Sequence, residues 1–239
     1  MSYESFAYYY DSLMDQSFYD DYLSFILKHA DFQTVLELGC GTGEMAIRLS
    51  KLDKTVYATD LSKDMLEVAR MKAMENDIHL NLARIDMCDF EISKKIDLVL
   101  CLCDSLNYVL KEEDVLKVLK NAYQALNNKG TFIFDVDSIY KMEVILDGYL
   151  EKNDDPDFYF QWKVNHLDYG YVQHTVEIVD KIENDRVYEK HFQKTLPIRK
   201  YKTLLNQAGF HHFEIYSDFN EYTENCERII FVCRKEDDK

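Results

Sequence analysis

The stretch VLELGCGTGEMAIRL, Val35–Leu49, decides the fold. An apolar run ends at Leu38, three glycines follow at alternate positions, and an amphipathic segment begins at Glu44. This order predicts a strand, a tight turn and a helix, an arrangement that often holds a nucleotide-like ligand at the helix N-terminus. The spacing G-x-G-x-G differs from the dinucleotide fingerprint G-x-G-x-x-G, because Glu44 takes the place of the third glycine.

Strand and helix patterns alternate on both sides of this turn. The predicted strands are TVLELG, TVYATD, HLNLARIDM, IDLVLCLCD, TFIFDV, HHFEIYS and RIIFVCR. The predicted helices are FYDDYLSFILKHA, EMAIRLSKL, SKDMLEVARMKAMEN with Ser62 as N-cap, EEDVLKVLKNAYQALNNKG, and IRKYKTLLNQAGF, which Gly209 ends. The alternation predicts an α/β fold, a parallel sheet with helices on both faces.

The α/β pattern is interrupted in the second half of the chain. Residues 157–195 contain no helical stripe and predict three antiparallel strands, with turns at 168–170 and 184–185. We therefore expect one α/β domain formed by residues 1–145 and 196–239, with an antiparallel β insertion at 146–195. The insertion is expected to act as a lid over the acceptor or as a dimer contact, because the edges of exposed strands are commonly covered by pairing, here across a homodimer.

Composition limits the classes of function. The chain has 239 residues and a formal net charge of -16, which makes a nucleic-acid footprint unfavourable. It shows neither an 18-residue apolar run nor a signal-like N-terminus, so we expect a cytoplasmic protein with no membrane contact. Its six cysteines form no C-x-x-C pair, and its histidines lack zinc-like spacing, so no metal site is predicted.

Acidic side chains follow successive predicted strands, at the edge where α/β sheets bind ligands. Asp60 is placed to bind both ribose hydroxyls, and Asp86 to accept from an adenine amino group with the Met87 amide close behind. Two ligands compete for this site. A dinucleotide brings a diphosphate that Glu44 would oppose, whereas S-adenosylmethionine brings a sulfonium, an ammonium and a carboxylate. A nicotinamide-dependent oxidoreductase has the same fold and stays as an alternative, although it favours the third glycine that this turn lacks.

The motifs ELGCGTG and DLSKDML resemble those of class I S-adenosylmethionine-dependent methyltransferases. FAYYYDSLM, CDSLNYVL, FDVDSIYKM and EKHFQKT are similar to segments of the small bacterial YqeM-type group. The resemblance implies a Rossmann-like seven-stranded sheet whose last strand is antiparallel, and S-adenosyl-L-methionine as cofactor.

The resemblance also implies roles by position. Gly39, Cys40, Gly41 and Gly43 would border the methionine portion, with Glu37 orienting its ammonium indirectly. Asp60 and Leu61 would hold ribose and adenine, Asp86 and Met87 the adenine edge, and Cys103 and Asp104 would lie beside the methyl donor. Tyr10 would close over the cofactor. Tyr10 and Tyr19 are the aromatic residues expected near the sulfonium, where cation–π attraction is worth about 0.5–2 kcal/mol.

The acceptor is predicted only as a class. CDSLNY lacks the two prolines of the N-P-P-Y motif that holds a nucleobase amino group, which favours a small-molecule N- or O-methyltransferase using in-line displacement. His191 is the candidate proton acceptor, Tyr140 is a further catalytic candidate, and Lys141 and Trp162 are pocket candidates. RNA or protein methylation and a non-catalytic S-adenosylmethionine-binding module are the alternatives.

Overall fold

The computed structural model describes residues 7–13 and 16–236. The helices are α1 (Ala7–Leu13), α2 (Gln16–His29), α3 (Glu44–Ser50), α4 (Lys63–Glu75), α5 (Glu112–Ala125) and α6 (Ile198–Ala208). A 3-10 turn spans Ser105–Tyr108 and a π-helical turn spans Lys141–Ile145. The strands are β1 (Thr34–Leu38), β2 (Thr55–Asp60), β3 (Asn81–Arg84), β4 (Ile96–Cys101), β5 (Leu126–Asp137), β6 (Leu150–Asp154), β7 (Phe158–Asp168), β8 (Tyr171–Asp180), β9 (Asp185–Lys194), β10 (His212–Ser217), β11 (Asn220–Glu221) and β12 (Arg228–Arg234).

The central sheet has the strand order β11-β10-β12-β5-β4-β1-β2-β3. Strands β1 to β5 run parallel, and β12 lies antiparallel between β5 and β10. This confirms the predicted α/β class and its antiparallel last strand. Because β1 pairs with both β2 and β4, the strand order reverses beside β1, and a crevice opens there at the carboxyl ends of the strands.

Apolar patterning explains why the sheet is covered on both faces. All but one residue of β4, IDLVLC, are buried, which is typical of a central parallel strand. The stripe predicted for α5 is buried at Val115, Leu119 and Ala122, with Val118 between them. Two hydrophobic clusters result, one on each side of the sheet, and they hold the strand ends at the crevice in fixed positions.

The sheet has eight strands where the sequence predicts seven. The additional strand is β11, two residues that turn back and pair with Tyr216 and Ser217 of β10. Asp218 and Phe219 between them both have positive φ, 48° and 65°, as a two-residue hairpin turn requires. A two-residue strand is too short to give an apolar–polar pattern, so the sequence did not indicate it.

The second sheet has four antiparallel strands, in the order β6-β7-β8-β9, where three were predicted. The missed strand is β6, LEKND, in which every residue is exposed, so it shows no alternation. The predicted domain ranges remain a prediction, and their residues 1–6, 14–15 and 237–239 lie outside the described part of the chain. Within the described part, no helix combines the length and apolarity needed to span a membrane.

Candidate active site

The glycine turn after β1 forms one wall of the crevice. Gly39, at φ 69°, approaches the 3-10 turn so closely that a Cβ atom would lie 2.7 Å from the Ser105 hydroxyl oxygen. Gly41, at φ 52°, would place a Cβ atom in open space. Both residues have left-handed backbone, which glycine adopts without strain. The turn is therefore tightly packed at Gly39 and leaves the backbone accessible at Gly41.

Asp60 ends β2 and directs its carboxylate to the same turn. Its Oδ2 accepts a hydrogen bond from the Gly41 amide at 2.8 Å, and its Oδ1 accepts one from the Ser62 amide at 2.8 Å. The Ser62 hydroxyl in turn caps α4, as predicted, by accepting from the Met65 amide. The Asp60 carboxylate is thus fixed in orientation, and each oxygen has acceptor capacity left for a ligand. Exposed Leu61 lies beside it in the cavity wall.

Glu37 is a buried carboxyl group in β1 that also lines the cavity. Its Oε2 has no hydrogen-bond partner among the described residues. Burial raises the pKa of Glu37 to about 8, repulsion from Asp60 adds to the rise, and a hydrogen bond from the Ala46 amide opposes it. Glu37 is therefore a neutral carboxyl group at neutral pH. A ligand that brings a positive charge would stabilise its ionised form, so this position suits such a ligand.

Glu44 is not among the residues that line the cavity. Its carboxylate pairs with Lys72, at 2.6 Å, and with Arg48 one turn along α3. Two cations therefore neutralise the charge that the sequence places in the first turn of α3, and Glu44 opposes a diphosphate less than expected. Near the glycine turn, Asp60 and Glu37 are acids that line the cavity, and Glu44 is not.

Asp86 and Met87 follow β3 at the far end of the crevice, and both line the cavity. Asp86 is exposed, and its Oδ1 accepts a hydrogen bond from the Cys88 amide at 2.8 Å. The Met87 carbonyl accepts from the Asn121 side chain at 3.2 Å, which fixes the backbone here. The two residues thus lie together beyond the carboxyl end of β3, and their contact with adenine stays a prediction.

Cys103 and Asp104 follow β4 in left-handed backbone, at φ 54° and 51°. For residues other than glycine this conformation costs on the order of 1–3 kcal/mol each, and surrounding contacts must hold it. The Asp104 amide donates to Asp135 at 2.8 Å, and the Asp104 carboxylate accepts from Gln193 of β9 at 2.6 Å. Burial raises the pKa of the Cys103 thiol, which therefore stays protonated and is no nucleophile.

Tyr10 of α1 and Tyr19 of α2 line the cavity beside the glycine turn. The Tyr10 side chain hydrogen-bonds Tyr19, and burial raises the pKa of both phenols, so both rings are neutral. Next to Tyr10, Asp11 accepts from the Thr42 hydroxyl at 2.6 Å and pairs with Lys72 at 2.6 Å. These contacts hold α1 against the turn.

The four-stranded sheet supplies a further wall. Alternate residues of its three long strands line the cavity: Phe160, Trp162, His174, Val176, Glu189, His191 and Gln193. His191 lies opposite His174 in the register and 3.0 Å from the Glu189 carboxylate. His174 accepts from the Trp162 indole at 3.0 Å, and burial lowers its pKa to about 4, so His174 is neutral.

The two sheets enclose one continuous cavity of about 1170 Å³. A pocket for one small ligand commonly occupies about 300–1,000 Å³. The cavity therefore has room for two ligands, one along the strand ends and one under the second sheet. Among the described residues, no three His, Cys, Asp or Glu side chains are arranged so that they could hold a metal ion.

Comparisons with known proteins place the chain in a family. Residues 35–130 match a family model described as a methyltransferase domain. The chain is 36% identical to a protein of Geobacillus sp. (strain WCH70) that is named a putative methyltransferase, over 98% of this chain and 100% of that one. It is 31% identical to "Putative methyltransferase YqeM" of Bacillus subtilis (strain 168), over 98% of each. A crystal structure of a S-adenosylmethionine-dependent methyltransferase from Clostridium acetobutylicum ATCC 824 aligns with a TM-score of 0.85 and 25% identity, covering 97% of this chain and 98% of that one.

The chain belongs to the S-adenosylmethionine-dependent methyltransferases. The predicted family, enzyme class and cofactor are confirmed by these matches. A more distant relative, a glycine/sarcosine N-methyltransferase of Aphanothece halophytica, is 28% identical over 88% of this chain and 79% of its own length. The residues present fit the cofactor: Glu37 and Asp60 are suited to its positive and hydroxyl groups, and Gly41 leaves the backbone open to it.

Most residues predicted for the site of this methyltransferase line one cavity. Gly43 and Tyr140 are not among its lining residues. A Cβ atom at Gly43 would lie 2.9 Å from Ala69 of α4, so this glycine serves helix packing. Lys141, next to Tyr140, does line the cavity. The specific roles assigned to these residues remain predictions.

Sequence reasoning missed Asp137, His174, Glu189 and Gln193 as wall residues of the methyltransferase. One signal was present, because alternation along EKHFQ places Glu189 and Gln193 on the same face as His191. A signal also existed for Asp137, because it directly follows the predicted strand TFIFDV, as Asp60 and Asp86 follow or end theirs, but it was not applied to the fifth strand.

Proposed function

We propose that the methyltransferase transfers a methyl group to a nitrogen or oxygen atom of a small molecule held under the four-stranded sheet. The observation that carries this proposal is the division of one cavity between two sheets. The central sheet provides the carboxylates and open backbone that suit the donor. The four-stranded sheet provides a wall of aromatic, apolar and acidic side chains that donor binding does not need.

Cys103 and Asp104 lie where the two parts of the cavity meet. S-adenosylmethionine supplies an electrophilic methyl group on a sulfonium. The protein must align the acceptor atom with the S–CH₃ bond of the donor and exclude water. Alignment of this kind can lower the activation barrier by roughly 7–11 kcal/mol. We propose that the residues 146–195 act as the acceptor lid.

A small acceptor is favoured over a polymer by the charge of the site. Acidic residues outnumber Lys111, Lys141 and Arg228 in the cavity wall. Lys141 and Arg228 are each paired with a carboxylate. Phosphate backbones need unpaired basic side chains. The glycine/sarcosine N-methyltransferase among the relatives supports a small acceptor, since its name gives small amino acids as its substrates.

The test is methyl transfer from ¹³C-methyl S-adenosylmethionine to separated small-molecule, RNA and protein fractions of a bacterial cell extract. Label is expected in the small-molecule fraction with the unaltered protein and is expected to be lost with Asp60→Ala. The matched control is Asp154→Ala, on exposed β6, which should label as well as the unaltered protein. Label confined to RNA or protein would overturn the proposal.

A further inference from the structure

Five charged side chains form a cluster between the two sheets, beside the cavity. They are Asp104, Asp135, Asp137, Lys141 and Arg228. Arg228 pairs with Asp135 and, at 3.3 Å, with Asp104. Lys141 donates to Asp137 Oδ1 at 2.8 Å. All members except Asp135 line the cavity.

The cluster holds three carboxylates and two cations. Asp135 is fully buried and Asp137 is 2% exposed, so solvent screens their charges poorly. With every group ionised, the cluster carries one negative charge more than its own cations balance. A buried excess charge is costly unless it takes up a proton or gains a cation. The cavity gives a cationic ligand access to this charge.

Asp137 is the member with capacity for such a ligand. Its Oδ1 accepts from Lys141, the one side-chain hydrogen bond to its carboxylate among the described residues, and the side chain lines the cavity. Its backbone is fixed, because its amide donates to Asn107 at 2.9 Å and its carbonyl accepts from the Thr195 hydroxyl at 2.6 Å. The carboxylate is therefore held in place at the cavity wall.

We infer that this cluster binds the ammonium group of an amine acceptor and that Asp137 removes its proton before methyl transfer. The inference rests on the proposed small-molecule methyltransferase function and narrows it to N-methylation. No comparable excess of charge would be needed for a hydroxyl acceptor, which is neutral when it binds.

The proton and electron balance is complete with the groups named. The ammonium gives one proton to the Asp137 carboxylate, which becomes a neutral carboxylic acid, and the amine nitrogen gains a free lone pair. That lone pair forms the new N–C bond while the S–CH₃ bond breaks and its electrons stay on sulfur. The product leaves as a methylated ammonium, and Asp137 then loses its proton to solvent.

The surroundings of Asp137 suit this task. Burial, and then repulsion from Asp104, raise its pKa to about 6, while Lys141 and Arg228 oppose the rise. The phenols of Tyr108 and Tyr201 also lie near it; loss of solvation raises the pKa of both, with added repulsion from Asp104 on Tyr108, so both are neutral. Asp137 is thus ionised at neutral pH and accepts a proton more readily than an ordinary aspartate. His174 is unsuited as the base, because its Nδ1 lone pair accepts from the Trp162 indole, which leaves the proton of the neutral ring on Nε2.

The first experiment separates this inference from the proposed function. The small-molecule products of ¹³C-methyl transfer are examined by NMR, which distinguishes N-methyl from O-methyl carbons. Label on nitrogen is expected. Label on oxygen would overturn the amine inference and leave the proposed function standing, whereas no labelled small molecule would overturn both.

The second experiment tests Asp137 on the N-methylated acceptor so identified. The pH profile of kcat/KM is expected to be bell-shaped, with an acid limb near pH 6 from Asp137 and an alkaline limb from the acceptor ammonium. Asp137→Asn should lower kcat/KM at pH 7 by about 10²–10⁴-fold and remove the acid limb. Lys141→Gln should move the acid limb to higher pH, because the cation that lowers the pKa of Asp137 is gone.

Two further measurements distinguish the loss of a proton-accepting group at Asp137 from a general loss of structure. Protein labelled with ¹³C at the aspartate carboxyls should show one carboxyl titrating near pH 6, absent in Asp137→Asn and shifted upward in Lys141→Gln. The matched control is Asp97→Asn, a hydrogen-bonded carboxylate outside the cavity, which should lower stability and keep the acid limb. An acid limb that persists in Asp137→Asn, or stays in place in Lys141→Gln, would overturn the role of Asp137.

Discussion

At the scale of single residues, two carboxyl groups that line the same cavity have opposite environments. Asp60 accepts two amide hydrogen bonds, which fix the orientation of its carboxylate. Glu37 is buried with one oxygen unpartnered, which stabilises its neutral form. The cofactor is expected to meet them differently, with Asp60 as a fixed acceptor and Glu37 as a group that ionises on binding.

Asp60→Ala should weaken binding of S-adenosylmethionine. The change removes a carboxylate that holds Gly41 and Ser62 and is predicted to accept from the ribose. A hydrogen bond to a charged group is worth about 1.5–3 kcal/mol, so we expect a loss of about 10- to 100-fold in affinity by titration calorimetry. Asp154→Ala, whose exposed carboxylate pairs only with Lys181 on the surface, should bind as the unaltered protein does. Equal affinities for the two variants would contradict the assignment of Asp60.

Binding of S-adenosylmethionine should release a proton from Glu37. The free protein keeps Glu37 protonated below about pH 8, and the positive charge of the cofactor favours the carboxylate, so its pKa falls in the complex. Between the lowered pKa and about 8 binding therefore releases protons, and affinity rises with pH. Calorimetry at pH 7 in buffers of different ionisation enthalpy should show most of one proton released. Glu37→Gln should remove this release, and a release unchanged by the substitution would refute the role.

From the residues alone, the sequence identifies best those whose position at the end of a strand reveals their place, while Tyr10 and Tyr19 followed from the resemblance. Asp60 and Asp86 end apolar strands, so the fold itself brings them to one edge. The expectation that Glu44 opposes a diphosphate was too strong, because nothing in the local sequence shows that Lys72, 28 positions away, pairs with it. Asp137 also ends a strand and could have been selected by position, whereas its pairing environment could not, since Asp104 and Arg228 come from distant parts of the chain.

At the scale of elements, a helix or strand was predictable where it buries a continuous stripe. The exposed strand β6 and the two-residue β11 bury none and were missed. The predicted helix EEDVLKVLKNAYQALNNKG ends earlier, at Ala125, because Leu126 already pairs with Ile96 of β4. Competition from long-range pairing is not visible in a helical pattern.

The end of α6 offers a test of this local reasoning. Gly209 has φ 108°, and a Cβ atom there would lie 3.0 Å from the Tyr123 ring. Gly148, at φ 65°, would place a Cβ atom in open space. Left-handed backbone costs an alanine about 1–2 kcal/mol at either position, and the clash adds to the loss only at Gly209. Thermal unfolding should show a larger fall in Tm for Gly209→Ala than for Gly148→Ala; equal falls would mean that the ring moves aside freely.

At the scale of the whole molecule, the net charge of -16 opposes compaction. Self-repulsion weakens when salt screens it, and the Debye length shortens from about 30 Å at 0.01 M to about 8 Å at 0.15 M. We expect Tm to rise over this range by about 2–4 °C, which corresponds to about 1 kcal/mol for a domain of this size. Differential scanning calorimetry in increasing sodium chloride measures this rise in Tm. A fall in Tm would show that specific ion pairs outweigh the repulsion.

Association of two copies of the chain is also a property of the whole molecule, and the predicted homodimer stays a prediction. Strands β6 and β9 are the edges of the second sheet, and β6 is exposed along its length. Such edges favour association unless charged side chains block them, and β6 carries Glu151, Lys152 and Asp154. Size-exclusion chromatography at micromolar concentration distinguishes the outcomes.

The alternation of cavity-facing and outward-facing residues along β7, β8 and β9 has a consequence for the evolution of this enzyme. Under the proposed acceptor role of this sheet, we expect its cavity-facing side chains to tolerate change to suit a new acceptor, while the outward-facing positions preserve the sheet. We expect acceptor range to drift in this way without loss of affinity for the methyl donor, whose predicted contacts lie on the central sheet. A combinatorial library restricted to those alternate positions would sample new acceptors on an intact scaffold.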